Sequence, residues 1–166
     1  MSILLIRHGS AGNRFTWGGD DTDRPLDPLG VAQAASLAED FVALPVSVVL
    51  SSQAVRCQQT VLPLARRAGL RVTVDEALFE GMSSQALQLV ERLAKDDDRN
   101  GAAVLCSHGD VISEILRSLI LIGIRTSGDR GSAKSSVWEL SCRGGIIVEG
   151  RYHHPSSVEI PFSTGD

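Results

Sequence analysis

The sequence has no excess of positive charge. Sixteen Lys and Arg stand against 20 Asp and Glu in 166 residues, a formal net charge of −4. That balance argues against a protein that grips nucleic acid or an anionic membrane through bulk positive potential. Any anion site must therefore be local. Cysteine is scarce: Cys57, Cys106 and Cys142 are odd in number and lack metal-ligand spacing. They read as reduced thiols of a cytoplasmic protein rather than a disulfide framework. Long apolar runs are also missing. The early "ILLI" lacks a basic lead-in and is cut off by Arg7, and "LILIGI" falls far short of the ~18 apolar residues a membrane span needs. Neither a targeting nor a spanning segment is expected. There is no GxxxxGK[ST] to support a P-loop, and no internal repeat, linker or low-complexity stretch. The length suits one domain, residues 1–166, with a core of its own.

Two periodicities alternate along the chain. "ILLI", "VSVVL", "RVTV" and "AAVLC" are short apolar or β-branched runs of the kind buried parallel strands show. Helical patterns lie between and after them. The first starts at Asp27 as N-cap with Pro28 at the first helical position, and Val31, Ala35, Leu37, Ala38 and Phe41 give it an apolar side. The second runs through "QAVRCQQTVLPLARRA", with Ser51-Ser52 as caps and Gly69 as the stop. The third, near residues 84 to 95, presents Ala86, Leu87, Leu89, Val90 and Leu93 and is closed by "KDDDRNG". The fourth presents Val111, Ile112, Ile115, Leu116, Leu119 and Ile120. "RTSGDRGSAK" reads as a flexible turn region, and "SVWEL" and "GIIVEG", separated by a segment with Gly144-Gly145, as an antiparallel pair. Strands alternating with helices predict a three-layer α/β/α sandwich with a mostly parallel sheet and an antiparallel C-terminal edge pair.

Three polar motifs directly follow strand-like runs: "RHG" after "ILLI", "SSQAVR" after "VVL", and "SHGD" after "AAVLC". In open parallel sheets, ligands bind beyond the carboxyl ends of the strands, so residues distant in sequence can meet there. Arg7, His8, Arg56 and His108 are the constellation this places together. Taken singly, each is a solvated arginine or a loop histidine, and Asp20-Asp21 reads as a turn. Together, four cationic or cation-capable groups would repel one another in an empty, dry pocket, so they call for an anion. Phosphate fits best. Arg7 and Arg56 can clasp phosphoryl oxygens. Their field favours a neutral His8 with a nucleophilic lone pair, able to form a phosphohistidine. His108, with Gly109 opening the next helix, can donate to the transferring group. No metal and no cofactor is expected, because arginines beside two histidines oppose a dication.

The blocks "LLIRHG", "DRPLDPLGVAQA", "VVLSSQAVRCQQT" and "VLCSHGDVI" resemble, in order, those of the histidine phosphatase superfamily, which includes phosphoglycerate mutases and SixA-type phosphohistidine phosphatases. The resemblance spans nearly the whole chain and implies His8 as the phosphorylated nucleophile, with Arg7, Arg56 and His108 completing the phosphate pocket. Within the superfamily, "RHGSAGNRFTWGGDDTDRPL" looks closest to the short SixA-like branch and to phosphatase domains that follow Nudix domains, of which no segment is present here. Many mutase-type members continue the first motif with Glu-Thr or Glu-Ser and then Trp-Asn, whereas Ser10-Ala11 and Asn13-Arg14 stand here. Arg14 is then either an added substrate contact or a solvated loop arginine. Glu80 matches the family's glutamate after the third strand and is the candidate general acid. Glu76 and Glu80 otherwise serve as solvated loop carboxylates.

Few residues separate "RVTV" from the next helix, which leaves little material for a lid, so the site should be open. An open site suits a phosphorylated protein side chain or a bulky phosphoester, and so favours hydrolysis of phosphohistidine or a general phosphomonoester over mutase chemistry, which needs a shielded intermediate. The partner expected is a phosphorylated protein or small phosphoester, with no nucleic acid and no membrane. The rival readings are a sugar, nucleotide or cofactor phosphatase or mutase, and a non-catalytic phosphate-binding module.

Overall fold

The computed structural model describes residues 1–96 and 98–160. Asp97, within the charged segment expected to close the third helix, and the last six residues of the expected domain lie outside them. Among the described residues seven strands form one sheet: β1 (Ser2–Arg7), β2 (Val46–Ser51), β3 (Val72–Val74), β4 (Ala102–Ser107), β5 (Arg125–Ser127), β6 (Val137–Arg143) and β7 (Ile146–His153). The order across the sheet is β3-β2-β4-β1-β6-β7-β5. β1, β2, β3 and β4 run parallel, and β6 joins β1 antiparallel. Four helices, α1 (Pro28–Asp40), α2 (Val55–Arg67), α3 (Ser83–Lys95) and α4 (Gly109–Leu121), cover it.

The two-residue period of the central strands divides the core. Ile3 and Leu5 of β1, with Ala103 and Leu105 of β4, pack with Leu89 and Val90 of α3 and Ile112 and Ile115 of α4. Leu4, Ile6, Val104 and Cys106 point the other way, onto Leu37 and Ala38 of α1 and Val61 and Leu64 of α2. Both faces of the middle strands are therefore dry, which is why they read as unbroken apolar runs. The α/β/α sandwich is as expected.

The antiparallel pair is correctly read but is not the sheet's edge. β5, three residues lying within the expected turn region, adds to β7 in parallel register and forms that margin. "RTS" is too short and polar to carry an alternation signal. The β6–β7 connection is Gly144-Gly145, both at positive φ (58° and 75°), as a two-residue hairpin turn of the primed type requires. On α1 the buried residues are Gly30, Ala34, Leu37 and Ala38. Leu37 and Ala38 are as expected, whereas Val31 is 59 % exposed and Ala35 is exposed too, because in the first half of the helix Gly30 and Ala34 face inward instead.

Gly30 brings the start of α1 against the loop after β1. Asp27 caps the helix by accepting from the Gly30 N–H at 2.8 Å, and its other carboxylate oxygen accepts from the Gly12 N–H at 2.9 Å. A Cβ on Gly30 would lie 2.0 Å from the Ser10 carbonyl oxygen, a backbone atom that cannot swing away. Gly30→Ala is expected to cost about 1–3 kcal/mol of stability through this overpacking. An unchanged urea midpoint would contradict the close approach.

Candidate active site

The carboxyl ends of β1, β2 and β4 open on one side of the sheet, because these strands are parallel neighbours. Arg7 ends β1 and His8 follows it; Ser52 follows β2; Ser107 ends β4, and His108 is the N-cap residue of α4. Arg56 enters from the first turn of α2. The four residues expected to converge do so, and His8, Arg56 and His108 are buried (4 %, 1 % and 1 % exposed).

His8 is held in one tautomer. Its Nδ1 lies 2.8 Å from the Gly9 carbonyl oxygen, to which it donates, and Arg56 Nε donates to its Nε2 at 3.4 Å. The Nε2 lone pair therefore faces the site. Burial first, and then the Lys134 ammonium, push the His8 pKa from 6.5 down to about 2; Arg56 and His108 add to this, and the Gly9 hydrogen bond opposes it. A neutral imidazole with a directed lone pair is what nucleophilic attack requires.

That shift has a consequence for stability. In the folded chain His8 stays neutral, whereas in the unfolded chain it takes up a proton as the pH falls below about 6.5. The stabilisation is therefore complete above pH 6.5 and declines towards acid, by up to about 1.4 kcal/mol per pH unit for this one group. Between pH 7 and pH 5 the wild type should lose more urea resistance than His8→Asn. Parallel curves would contradict the assigned state of His8.

His108 lies edge-on to His8, with ring centroids 5.4 Å apart. Its Nε2 is 2.9 Å from Ser52 Oγ and 3.6 Å from Cys57 Sγ. Its Nδ1 faces the site, 3.2 Å from Glu80 Oε1 and 3.5 Å from Arg56 Nη2. Ser52 is thus more than the expected helix cap: its hydroxyl accepts the Ala54 N–H at 3.3 Å while also holding His108. Ser51 points elsewhere, donating to the Ser52 carbonyl.

Arg56 makes the densest set of contacts. Nη1 donates to the Asp21 carbonyl at 2.7 Å, and Nη2 reaches Glu80 Oε1 at 3.0 Å and Asp21 Oδ2 at 3.2 Å. Arg14 Nη2 meets the same Glu80 oxygen at 3.0 Å. Arg14 and Glu80 therefore both lie at the cavity, Glu80 half-buried and Arg14 exposed at its rim, and Glu76 does not line it. Arg7 donates to the Ser132 carbonyl, and among the described residues its buried Nε has no hydrogen-bond partner. Its guanidinium lies against Gly109, where a Cβ would come within 3.0 Å of Cζ. This close approach accounts for glycine at the start of α4.

The cavity holds about 910 Å³ and is lined by Arg7, His8, Arg14, Arg24, Lys134 and Glu80, among others. Sequence reasoning missed four of its features. Asp21, read as part of a turn, pairs with Arg24 at 2.8 Å and with Arg56 and Arg14; the Arg24 hydrogen bond is the largest cause holding its carboxyl below the ordinary value. Arg24 is buried, although it lay within the quoted block "DRPL". Ser52 was assigned a local role only. Lys134 sits in a Gly- and Ser-rich stretch after no obvious strand, and nothing in the local sequence marks it. Among the described residues, no three His, Cys, Asp or Glu side chains cluster as metal ligands would, and no helix is long and apolar enough to cross a membrane.

The sequence and the fold both have relatives. The family pattern described as histidine phosphatase superfamily (branch 1) matches residues 3–85. An 8-oxo-(d)GTP phosphatase of Mycolicibacterium smegmatis is 32 % identical over 158 residues, covering 93 % of this chain and 48 % of that protein. The chain thus spans about half the length of this curated relative. Among solved structures, the protein histidine phosphatase SixA complexed with tungstate superposes with a TM-score of 0.72 at 17 % identity, covering 93 % of this chain and 95 % of the other. A mycobacterial glucosyl-3-phosphoglycerate phosphatase bound to VO3 does so with a TM-score of 0.71 at 20 % identity, covering 91 % and 96 %. These two likenesses concern the fold. Together with the family pattern over the first three parallel strands and the helices between them, they leave one assignment: the chain belongs to the histidine phosphatase superfamily.

Proposed function

We propose that the chain is a phosphatase that hydrolyses a phosphomonoester or a phosphohistidine through a covalent intermediate on His8. The observation that carries this reading is the His8 imidazole itself: neutral, with its proton committed to the Gly9 carbonyl and its Nε2 turned towards Arg56. In the first step Nε2 attacks phosphorus, the N–P bond forms and the bond to the leaving group breaks. Glu80, within reach of His108 and Arg56, delivers a proton to the leaving atom. Water then attacks phosphorus and passes a proton to the Glu80 carboxylate left by the first step, the N–P bond breaks, and orthophosphate and neutral His8 are released. Arg7 and Arg56 balance the charge on the phosphoryl oxygens, and His108 and the Gly109 end of α4 donate to them. Arg14 adds a contact at the cavity mouth.

Within this chemistry a small phosphorylated metabolite is favoured over a protein substrate. The cavity is of the size that takes a whole small ligand, and three cations beyond the phosphoryl cradle line it: Arg14, Arg24 and Lys134. A relative with 32 % identity is named for a nucleotide substrate, which supports the same preference. The experiment is a competition assay with para-nitrophenyl phosphate as reporter against nucleotides, sugar phosphates and a phosphorylated HPr-like protein. Turnover of the reporter with competition by a small metabolite is expected. A dominant preference for the phosphoprotein would reverse the substrate preference, and no turnover of any compound would overturn the enzymatic reading.

A further inference from the structure

In the mechanism above Lys134 touches no reacting atom and acts only by helping to keep His8 neutral, yet unusual geometry places it. The next residue, Ser135, has φ 64°, the only positive value outside glycine among the described residues. Side chains with a Cβ rarely adopt this region unless their surroundings hold them there. The surroundings here are the site itself: the Ser135 N–H bonds the carbonyl oxygens of both Arg7 (3.1 Å) and His8 (3.2 Å), and the Arg7 N–H donates to the Ser136 carbonyl at 3.1 Å. On the other side of Lys134, Ser132 accepts from the Arg7 guanidinium, and the Ala133 N–H donates to Tyr152 Oη at 3.2 Å. The β5–β6 segment is thus tied down on both sides of the lysine.

Lys134 is half-buried in the cavity wall. Arg14, Arg24 and Arg56 each have a carboxylate partner, whereas Lys134 has none among the described residues. The cations around it are Arg7 of β1, Arg14 of the loop after β1, Arg24 before α1 and Arg56 of α2; His8 feels its charge, and His108 and the carboxylates of Glu80 and Asp110 line the same cavity. Burial first, and then these guanidiniums, push its pKa from 10.5 down to about 8. A fixed cation among cations is unfavourable until an anion enters. The transferred phosphoryl group already has donors in Arg7, Arg56, His108 and the start of α4.

We propose that Lys134 is a specificity-determining residue that holds a second anionic group of the substrate, a phosphate or carboxylate attached close to the phosphoryl group received by His8. The inference rests on the phosphatase reading and names its substrate class: organic phosphates with a second anion near the scissile bond.

The test compares phenyl phosphate, which has no second anion, with adenosine 5′-diphosphate and 3-phosphoglycerate, whose second anions are a phosphate and a carboxylate. Lys134→Ala should raise KM for at least one two-anion compound by roughly 10- to 100-fold, the worth of one charge-assisted contact. That loss should exceed any change on phenyl phosphate at least tenfold. Lys134→Arg should restore most of it. With wild type, KM for the favoured compound should climb above pH 8 as the ammonium loses its proton, and Lys134→Arg should abolish the climb. Equal losses on all three compounds, or no loss on any, would overturn the proposal. Calorimetric binding of the two-anion compounds to His8→Ala, with and without Lys134→Ala, gives the same contrast without turnover. A wild type inert towards all three compounds therefore counts against the phosphatase reading, while the binding contrast still decides for or against Lys134.

Discussion

His8→Ala abolishes turnover, with kcat for para-nitrophenyl phosphate expected to fall by at least about 10⁴-fold, as removal of an activated nucleophile does elsewhere. The size follows from the absence of a substitute. Among the described residues no Ser, Thr or Cys side chain takes the His8 place opposite Arg56: Cys57 is fully buried beneath His108, and the Thr60 hydroxyl is engaged by the Gly9 N–H and the Arg56 carbonyl. The second histidine cannot replace the first, because His108 Nε2 is turned to Ser52 and its Nδ1 to Glu80. The variant should remain folded, since His8 lines the cavity, where solvent can fill the space its ring leaves. It should still bind orthophosphate through Arg7 and Arg56. A His8→Ala chain with a tenth of wild-type activity would contradict the nucleophile assignment.

Arg56→Lys keeps the charge yet should lower kcat/KM by about 10²- to 10³-fold, the loss expected when a preorganised charge-stabilising contact goes. One guanidinium here serves five groups: Nε meets His8, Nη1 the Asp21 carbonyl, and Nη2 Glu80, Asp21 Oδ2 and His108 Nδ1. An ammonium has no planar fork with which to hold that geometry. The thermal stabilisation given by orthophosphate should shrink in parallel, because a ligand stabilises only as far as it binds. Activity within a few-fold of wild type would mean that Arg56 is a structural arginine pairing with Asp21 and Glu80, without a part in phosphate binding.

These two predictions use residues legible from sequence, and the reason is general. A strand buried on both faces must be apolar to its end, so a charged residue directly after it, as in "ILLIRH" and "VLCSH", marks the sheet's carboxyl edge. Arg56 follows by the same placement, from "SSQAVR" after "VVL"; Glu80 is reached only through the family's glutamate after the third strand, and Arg14 only where the first motif departs from the family. What stayed hidden depends on tertiary approach. Asp21 lies on a short turn whose local pattern says only that the chain bends, and it reaches Arg56 because α2 packs beside it. Ser52 carries a cap signal that conceals its second bond to His108. Lys134 reaches the site through backbone bonds from Ser135 to residues more than 120 positions away, for which no local pattern exists. On the fold side, β5 escaped for a related reason: three polar residues become a strand only because β7 offers a free edge.

The central claim, that phosphate passes through His8, is tested most directly by trapping. Wild-type chain is mixed with a phosphorus-labelled monoester, quenched within milliseconds in alkaline denaturant, and the labelled peptide is mapped. The expected result is one label per chain on the peptide bearing His8, stable in base, lost in acid, and absent from His8→Ala. An acid-stable label, a label on another residue, or turnover at full rate with no trapped label at any time would contradict it.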